Sequence, residues 1–264
     1  TAGTFLGTQV LGSLGTVIGG STNADGFNWW NINYDNGADG WSVEDYLIVS
    51  STPTPTPTPP PSTGGPCPGG QEIAFPGAEG FGRCAQGGRG GRTIDVTNLN
   101  NSGPGSLRQC AQVETGPRIC RFTVSGTIAL SPVIGGNFSD LDIVNDYVTI
   151  DGSTAPMGGI ALKDGGLTIK ANHVIVRHLR VRPGLKTWLE RGQNSNAIAI
   201  QSNNGVSISN VIVDHVTASW GNDDLVYVIY GSDLVTIQWS IFSEGIMDCP
   251  GPCSGSKGFL MGYG

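Results

Sequence analysis

Charged residues are scarce in this sequence. They make up 13% of its 264 residues, about half of the roughly 25% found in an ordinary soluble domain. The net charge of −7 argues against a nucleic-acid partner, because such binding depends on Lys and Arg that neutralise phosphates. No apolar run reaches the roughly 18 residues of a membrane span. Because 38% of the residues are apolar, a charge-driven disordered chain is excluded as well.

Basic residues are missing from the first 62 positions, whereas all 14 Lys and Arg lie in residues 63–264. Between the two parts, residues 52–61 read TPTPTPTPPP. This run is a stiff polyproline-type spacer, because each proline fixes φ and lacks an N–H. We therefore predict a domain in residues 1–50, a linker in residues 51–66 and a second domain in residues 67–264.

Cysteine is confined to the second part. An even number of cysteines at short spacings indicates disulfides formed in an oxidising compartment, and hence a secreted protein. The pairs favoured by spacing are Cys110–Cys120 and Cys249–Cys253, which leaves Cys67 and Cys84. Metal ligation is the alternative, although no cluster of Cys or His completes a zinc site.

The first part alternates in the manner of β-strands, most clearly in FNWWNINY at residues 27–34. Asp-Asn-Gly at 35–37 and Asp-Gly at 39–40 are hairpin turn signals. Residues 4–48 resemble the later strands of a bacterial SH3-like domain. The resemblance implies a partial small SH3-like β-barrel that binds a cell-wall polymer. Its tryptophans, Trp29, Trp30 and Trp41, either fill the barrel core or form a binding platform.

The second part contains an internal repeat. Residues 147–152, 173–178, 210–215 and 234–239 share one template, at spacings of 26, 37 and 24 residues. A right-handed parallel β-helix explains this pattern, because each coil contributes the same strand and the inward Val and Ile stack. The longest spacing implies an inserted loop at about residues 183–194. A sandwich of antiparallel hairpins is the alternative.

Several longer motifs follow one another in the second part. They include FPGAEGFG at 75–82, GGRGG at 87–91, SGPGSLR at 102–108, VTIDGSTAP at 148–156, VIVDHVTASW at 211–220 and VTIQWSIF at 235–242. This series closely resembles pectate lyases of polysaccharide lyase family one, over about residues 72–264. The resemblance implies a parallel β-helix that cleaves polygalacturonate, or pectate, by β-elimination.

This reaction removes a proton from C5 of a uronate, next to a carboxylate that resists further negative charge. Ca²⁺ on that carboxylate stabilises the developing enolate, and a cationic side chain can do the same. The base in the family is an arginine whose position lies beyond Gly264. We therefore expect a β-helix that is incomplete at its C-terminus, a fragment without this base and itself inactive.

The resemblance also places the site residues. A Ca²⁺-ligand position of the family falls on Asn196, and another falls on Asp223, with Asp224 beside it. The alternative for the two acids is a solvated turn. Lys257 matches the lysine that binds a substrate carboxylate in the family, and the alternative is a solvated surface lysine.

Further candidates lie earlier in the second part. Arg180 and Arg182 share one face of a strand, where they contact uronate carboxylates or pair with nearby acids. Trp188 in the inserted loop stacks on a sugar or pins the loop. The resemblance gives Asp214-His215 a structural role, with His178 as its neighbour in a stack.

Two other functions compete with a lyase. A polygalacturonase needs paired carboxylates, but adjacent Asp223 and Asp224 point to opposite faces of a strand. A non-catalytic β-helix that binds polysaccharide, or acts as an adhesin, is favoured by Asn196 in place of an acid and by the missing arginine. The sequence therefore predicts a secreted, Ca²⁺-dependent pectate lyase-like protein, with a binding module as the alternative.

Overall fold

The computed structural model describes residues 13–35, 37–47, 67–130, 140–192, 194–248 and 255–262. The chain divides into two compact units, Thr1–Pro57 and Thr58–Gly264. The predicted linker, Cys249 and Cys253 lie outside the described residues. None of the described helices is long and apolar enough to cross a membrane.

The first unit contains a three-stranded antiparallel sheet. Its strands are β1 (Gly15–Ala24), β2 (Phe27–Tyr34) and β3 (Gly40–Val43), followed by a 3₁₀ turn at Glu44–Tyr46. The sheet begins with a tight hairpin, in which Asp25 and Gly26 both have positive φ, as a two-residue turn between twisted strands requires.

This sheet has little core. Ile32 is the only buried hydrophobic residue among the described residues of the first unit, and Trp41 is 50% exposed. Trp41 is therefore not a core residue of the sheet. The described strands form an open sheet, and the partial SH3-like barrel stays a prediction.

The second unit is built from short strands. They are β4 (Arg92–Val96), β5 (Arg118–Phe122), β6 (Gly126–Ala129), β7 (Leu141–Ile143), β8 (Val148–Asp151), β9 (Ile160–Lys163), β10 (Leu167–Ile169), β11 (Val174–Arg177), β12 (Leu179–Arg182), β13 (Ile198–Ile200), β14 (Ile208–Asp214), β15 (Thr217–Ser219), β16 (Val226–Val228), β17 (Ser232–Gln238), β18 (Ile241–Ser243) and β19 (Phe259–Met261). One short helix, α1 (Lys186–Arg191), lies in the predicted inserted loop. The remaining turns are 3₁₀ segments at Pro68–Gly70, Phe81–Cys84 and Gly152–Thr154 and a π-helical turn at Gln109–Val113.

These strands form three parallel sheets stacked like a β-helix. Sheet 1 has the order β17-β14-β11-β8-β5-β4, sheet 2 the order β18-β15-β12-β9-β6, and sheet 3 the order β19-β16-β13-β10-β7. From β5 onward the chain visits the sheets in turn, so neighbouring strands of a sheet come from successive coils. The parallel pairing confirms the predicted β-helical architecture and rules out the antiparallel sandwich for this unit.

The repeat template corresponds to sheet 1. Val174 pairs with Val148 on one side and with Val211 on the other, and Val211 pairs with Val235. The first three of these valines are fully buried. Their stacking builds the apolar column that the repeat predicts, because every coil contributes the same inward position.

The corners of the coils have a shared backbone conformation. Tyr147 and His173 stand just before β8 and β11, and Asn210 and Leu234 occupy the matching register positions inside β14 and β17. All four have positive φ between 50° and 63°. At the other end of the template, His178, His215 and Trp239 follow β11, β14 and β17 with φ between 50° and 54°. A single left-handed residue turns the chain sharply, so successive coils turn at matching positions.

The outer face of sheet 1 is covered by residues 75–88, which precede β4 and form the covering segment. Ala78 and Ala85 pack on Ile175 and Ile212, with Phe75 beside them. The segment is also bonded to the sheet through side chains, since Gly82 N donates to Thr236 Oγ1 at 2.8 Å and Gly88 N donates to Thr149 Oγ1 at 3.0 Å. Its position leaves sheets 2 and 3 to provide the accessible faces.

Two disulfides reinforce the second unit. Cys110–Cys120 links the π-helical turn to β5, which confirms the predicted pair. Cys67–Cys84 ties the covering segment to the chain before it, so the two cysteines left over in the sequence pair with each other. The described cysteines are therefore structural.

Candidate functional site

The turns that enter sheet 3 bring the predicted site residues together. Ile198 pairs with Val226, and Val226 pairs with Phe259. Two positions before these residues stand Asn196, Asp224 and Lys257. The pairing register therefore places these three residues in one column across three coils, although they lie far apart in sequence.

Lys257 and Asp223 form an ion pair at the edge of this column. Lys257 Nζ lies 3.6 Å from Asp223 Oδ1, and the two side chains are 55% and 28% exposed. The Lys257 main-chain N–H also donates to the Asp223 carbonyl oxygen at 3.0 Å. The pair is accessible to solvent, so its charges can meet a ligand.

Asp224 differs from its neighbour because it is buried. It is 1% exposed, and its Oδ1 has no hydrogen-bond partner among the described residues. Burial, and then the adjacent Asp223 carboxylate, raise the pKa of Asp224 above the ordinary value. A buried carboxylate oxygen without a partner is unusual in a folded protein, and it marks this turn as a place for a cation or a proton.

Asn196 faces the same turn. Its Oδ1 accepts from the Asp224 N–H at 2.9 Å, so it fixes the backbone that carries both acids. The hydroxyl oxygens of Ser195 and Ser256 are also buried without a partner among the described residues. Each of the segments before β13, β16 and β19 thus contains a buried side-chain oxygen without a described hydrogen-bond partner. The sequence pattern did not indicate these oxygens.

Tyr227 lies beyond the acids on the outward side of β16. Burial, its hydrogen bond to Tyr230 and the nearby acids raise the pKa of Tyr227 to about 12. Its phenol therefore stays protonated at neutral pH and can donate a hydrogen bond.

The other predicted site residues lie elsewhere. Arg180 and Arg182 point outward from sheet 2, as their alternation predicts. Arg180 donates to the Gly158 carbonyl oxygen, and the Arg182 guanidinium lies 5.7 Å from the centre of the Trp220 ring. Trp188 is on α1. These three residues are therefore not part of the Asp223–Lys257 pair.

Trp220 is a residue that sequence reasoning missed. It is 45% exposed, and its Nε1 donates to Glu244 at 3.1 Å. Its position at the end of the VIVDHVTASW motif gives no signal of exposure. The structure places its partly exposed ring beside Arg182, just after the end of β15.

A second cluster of ionisable groups has a structural role. His178, Asp214 and His215 bring potential metal-ligand atoms within 4.8 Å of one another. However, Asp214 already accepts from Arg177, Gln238 and His215 at 2.8–2.9 Å. The His178 and His215 rings stack, with centroids 4.8 Å apart. This agrees with the structural stack that the family resemblance implies.

The chain is similar in sequence to known proteins over part of its length. No protein-family profile matches the chain. The chain is 42% identical over 175 residues to the probable pectate lyase C of Emericella nidulans, an alignment that covers 66% of this chain and 37% of that protein. It is 40% identical over 176 residues to the probable pectate lyase C of Aspergillus fumigatus, with the same coverage.

Among solved structures, the cedar pollen allergen Jun a 1 is 26% identical, with a TM-score of 0.45, and the match covers 60% of this chain and 46% of that one. The chain spans little more than a third, 37%, of the length of the curated relatives described above. About two thirds of this chain is thus similar in sequence to probable pectate lyases.

Proposed function

We propose that the second unit is the uronan-binding part of a secreted polysaccharide lyase, which cleaves polygalacturonate or pectate by Ca²⁺-assisted β-elimination. The observation that carries this proposal is the solvent-accessible Asp223–Lys257 pair on adjacent coils. The sequence similarity to probable pectate lyases supports it. Disulfides of the kind found in oxidising compartments support secretion.

Lys257 binds a uronate carboxylate in this proposal. Its side chain is more than half exposed and lies at the edge of sheet 3. A charge-assisted hydrogen bond to the carboxylate is stronger than a neutral one. It also withdraws negative charge from the carbon that loses the C5 proton, which lowers the barrier to proton removal.

The residues beside Lys257 fit a hard cation. Asp223 offers an accessible carboxylate, Asp224 an unpaired buried oxygen and Asn196 an amide oxygen, and Ca²⁺ prefers oxygen ligands of these kinds. When bound, Ca²⁺ would neutralise the uronate carboxylate. Since Lys257 pairs with the same Asp223, its ammonium group competes with the cation for this carboxylate.

Three further residues are proposed to contact sugar outside this centre. Arg180 and Arg182 offer cations on the outer face of sheet 2, and Arg182 lies next to the exposed Trp220. Trp188 belongs to the loop that leads from β12 to Asn196. We assign these residues to sugar units that flank the one held by Lys257.

The test uses the full chain with trigalacturonate and with polygalacturonate. Lys257→Met should weaken trigalacturonate binding in calorimetry by about tenfold, as expected when a charged hydrogen bond is lost. Lys186→Met is the matched control, because Lys186 is 44% exposed and lies 3.5 Å from Asp164. Equal affinities for the wild type and Lys257→Met would overturn the assignment.

Calcium is tested by its own titration. Calorimetry should detect Ca²⁺ binding that Asp223→Asn abolishes and that Lys257→Met strengthens, because the competing ammonium group is gone. Affinity that does not change in Asp223→Asn would place the cation elsewhere.

A polysaccharide-binding module without catalysis is the second candidate. It is favoured by Asn196, which puts a neutral group where the resembled family has an acid. The two functions differ in their product. The appearance of unsaturated uronate, detected by ultraviolet absorbance and prevented by EDTA, supports the lyase, whereas binding without this product supports the module.

The first unit is proposed to bind a cell-wall polymer. The proposal rests on the sequence resemblance of residues 4–48 to SH3-like domains and on the half-exposed Trp41. A pull-down of the full chain on insoluble cell walls, compared with the Trp41→Ala variant, tests this role.

A further inference from the structure

A cavity of about 580 Å³ lies at the other end of the sheet 3 strands from Lys257. It is lined by the segments that leave β7, β10 and β13, whereas the Asp223–Lys257 pair lies in the segments that enter β16 and β19. We refer to this cavity as the exit cavity.

Among the described residues that line the exit cavity, Lys170 is the only cationic one. Its Nζ lies 3.2 Å from Asp142 Oδ1, and its side chain is 26% exposed. The acid inside the cavity, Asp146, accepts hydrogen bonds from the main-chain N and the Nδ2 of Asn172 at 2.8–3.3 Å. The Lys170 ammonium group therefore has N–H donors left for an anionic ligand. The Asp146 carboxylate, in contrast, already accepts hydrogen bonds from Asn172.

Two amides at the rim have hydrogen-bonding capacity to spare. The side chains of Asn203 and Asn204 line the cavity, and neither side chain has a hydrogen bond within the described part of the chain. The backbone that carries them is fixed, because Asn203 and Val206 exchange two main-chain hydrogen bonds of 2.9 Å. The turn thus presents both amides at low entropic cost to a ligand.

An apolar surface completes the cavity. Tyr147 lines it and stacks on His173, with ring centroids 4.8 Å apart and planes 7° from parallel. Val206 lines it as well and is 67% exposed. Few polar groups of fixed position beside an apolar surface are typical of a small-molecule site.

We propose that the exit cavity binds one uronate unit of the polysaccharide, several sugar units away from the unit held by Lys257. Lys170 takes the carboxylate, the amides of Asn203 and Asn204 take hydroxyl groups, and the C–H face of the sugar packs on Tyr147 and Val206. Strand spacings of about 4.8 Å and a rise of about 3.3 Å per residue separate Lys170 from Lys257 by roughly 20 Å. One polymer chain therefore reaches both. This inference rests on the proposed function.

The test compares trigalacturonate with hexagalacturonate in calorimetry on the full chain. Asn203→Ala combined with Asn204→Gly removes both amides, and glycine tolerates the φ of 52° at position 204. Lys170→Gln removes the cation. Each variant should weaken hexamer binding by about tenfold and leave trimer binding at the Lys257 site unchanged. Asn100→Ala, another exposed amide, is the control and should change neither.

The outcomes separate this inference from the proposed function. Hexamer affinity that falls in Lys257→Met but not in the exit-cavity variants would overturn the subsite alone. A wild type that binds no oligogalacturonate would overturn both. A hexamer of neutral galactose that binds as tightly as hexagalacturonate, with the same loss in Lys170→Gln, would overturn the assignment of Lys170 to a carboxylate.

Discussion

Arg118 shows how one side chain organises the first coils. It is fully buried, and its guanidinium donates to five main-chain carbonyls, those of Cys110, Ala111, Gly116, Asn145 and Asp146, at 2.7–3.3 Å. Burial, as the largest cause, lowers the pKa of Arg118. The carbonyls solvate the charge in place of water, so the side chain joins the π-helical turn to the next coil.

Arg118→Met should destabilise the second unit by about 3 kcal/mol or more, because buried carbonyls lose their donors. Chemical denaturation, followed by circular dichroism, measures the change. Arg121→Ala is the control three residues along the same strand, since Arg121 forms an exposed ion pair with Asp95 at 2.7 Å. We expect a much smaller effect there. Equal effects of the two variants would contradict the role of Arg118.

Asp214 links stability to pH. Burial alone would raise its pKa, but hydrogen bonds from Arg177, Gln238 and His215 outweigh burial and hold the pKa of Asp214 below the ordinary value. A carboxyl group with a lower pKa in the folded state stabilises the protein above its unfolded pKa of about 4, and this contribution is lost as pH falls through the folded value.

Asp214→Asn should therefore be less stable than the wild type at pH 7, and the difference should narrow below about pH 4. Melting temperatures from pH 7 down to pH 3 test this expectation. Asp151→Asn is a suitable control, because Asp151 pairs in register with Arg177 in sheet 1 but is partly exposed. A wild-type–variant difference that stays constant over this range would refute the linkage.

At the scale of elements, the covering segment depends on close approach to sheet 1. A Cβ atom added at Gly82 would meet the Val211 carbonyl oxygen, and it would lie 2.8 Å from the Thr236 amide nitrogen. No side chain fits at this distance, so glycine at this position allows the segment to lie directly on β14 and β17.

Gly82→Ala should lift the segment from the sheet and expose Ile212, which lowers the melting temperature of the second unit and speeds amide exchange in β14. Gly20→Ala is the control, since an added Cβ there meets nothing within 4 Å. Exchange in β14 that is as slow in Gly82→Ala as in the wild type would show that the segment does not need this contact.

The elements differ in how far the sequence predicts them. The sheet 1 strands were predictable because four template copies repeat the same inward valines and isoleucines. The three-residue strands of sheet 3 are too short for a period to be read, and their register depends on the neighbouring coils. The contacts of the site also depend on how the coils stack. The spacing of Asp223 and Lys257 in sequence gives no sign that they meet. The exposure of Trp220 likewise depends on a turn that only the fold defines.

At the scale of the whole molecule, the cysteines are unevenly distributed. All six lie in the second part of the sequence, and the two described disulfides close loops with sequence separations of 10 and 17 residues. A disulfide that closes a loop of this size stabilises a fold by about 3 kcal/mol in the chain-entropy view. The first unit contains no cysteine.

Reduction should therefore lower the denaturant midpoint of the second unit and leave the first sheet unaffected. Unfolding with and without dithiothreitol, followed by amide exchange mass spectrometry, resolves the two units. Replacing Cys110 and Cys120 by Ala should reproduce part of the shift. The same midpoint in both conditions would show that the β-coils do not depend on their disulfides.

The left-handed residues at the corners constrain how such a protein changes in evolution. Because successive coils turn at matching positions of the register, a single residue inserted into a template strand would turn its inward valines outward and shift the following corner. A complete coil, in contrast, can be duplicated or lost without disturbing the pairing of the coils around it. Homologous proteins should therefore differ in length by whole coils or by loops such as residues 183–197, and length differences within the template strands should be rare.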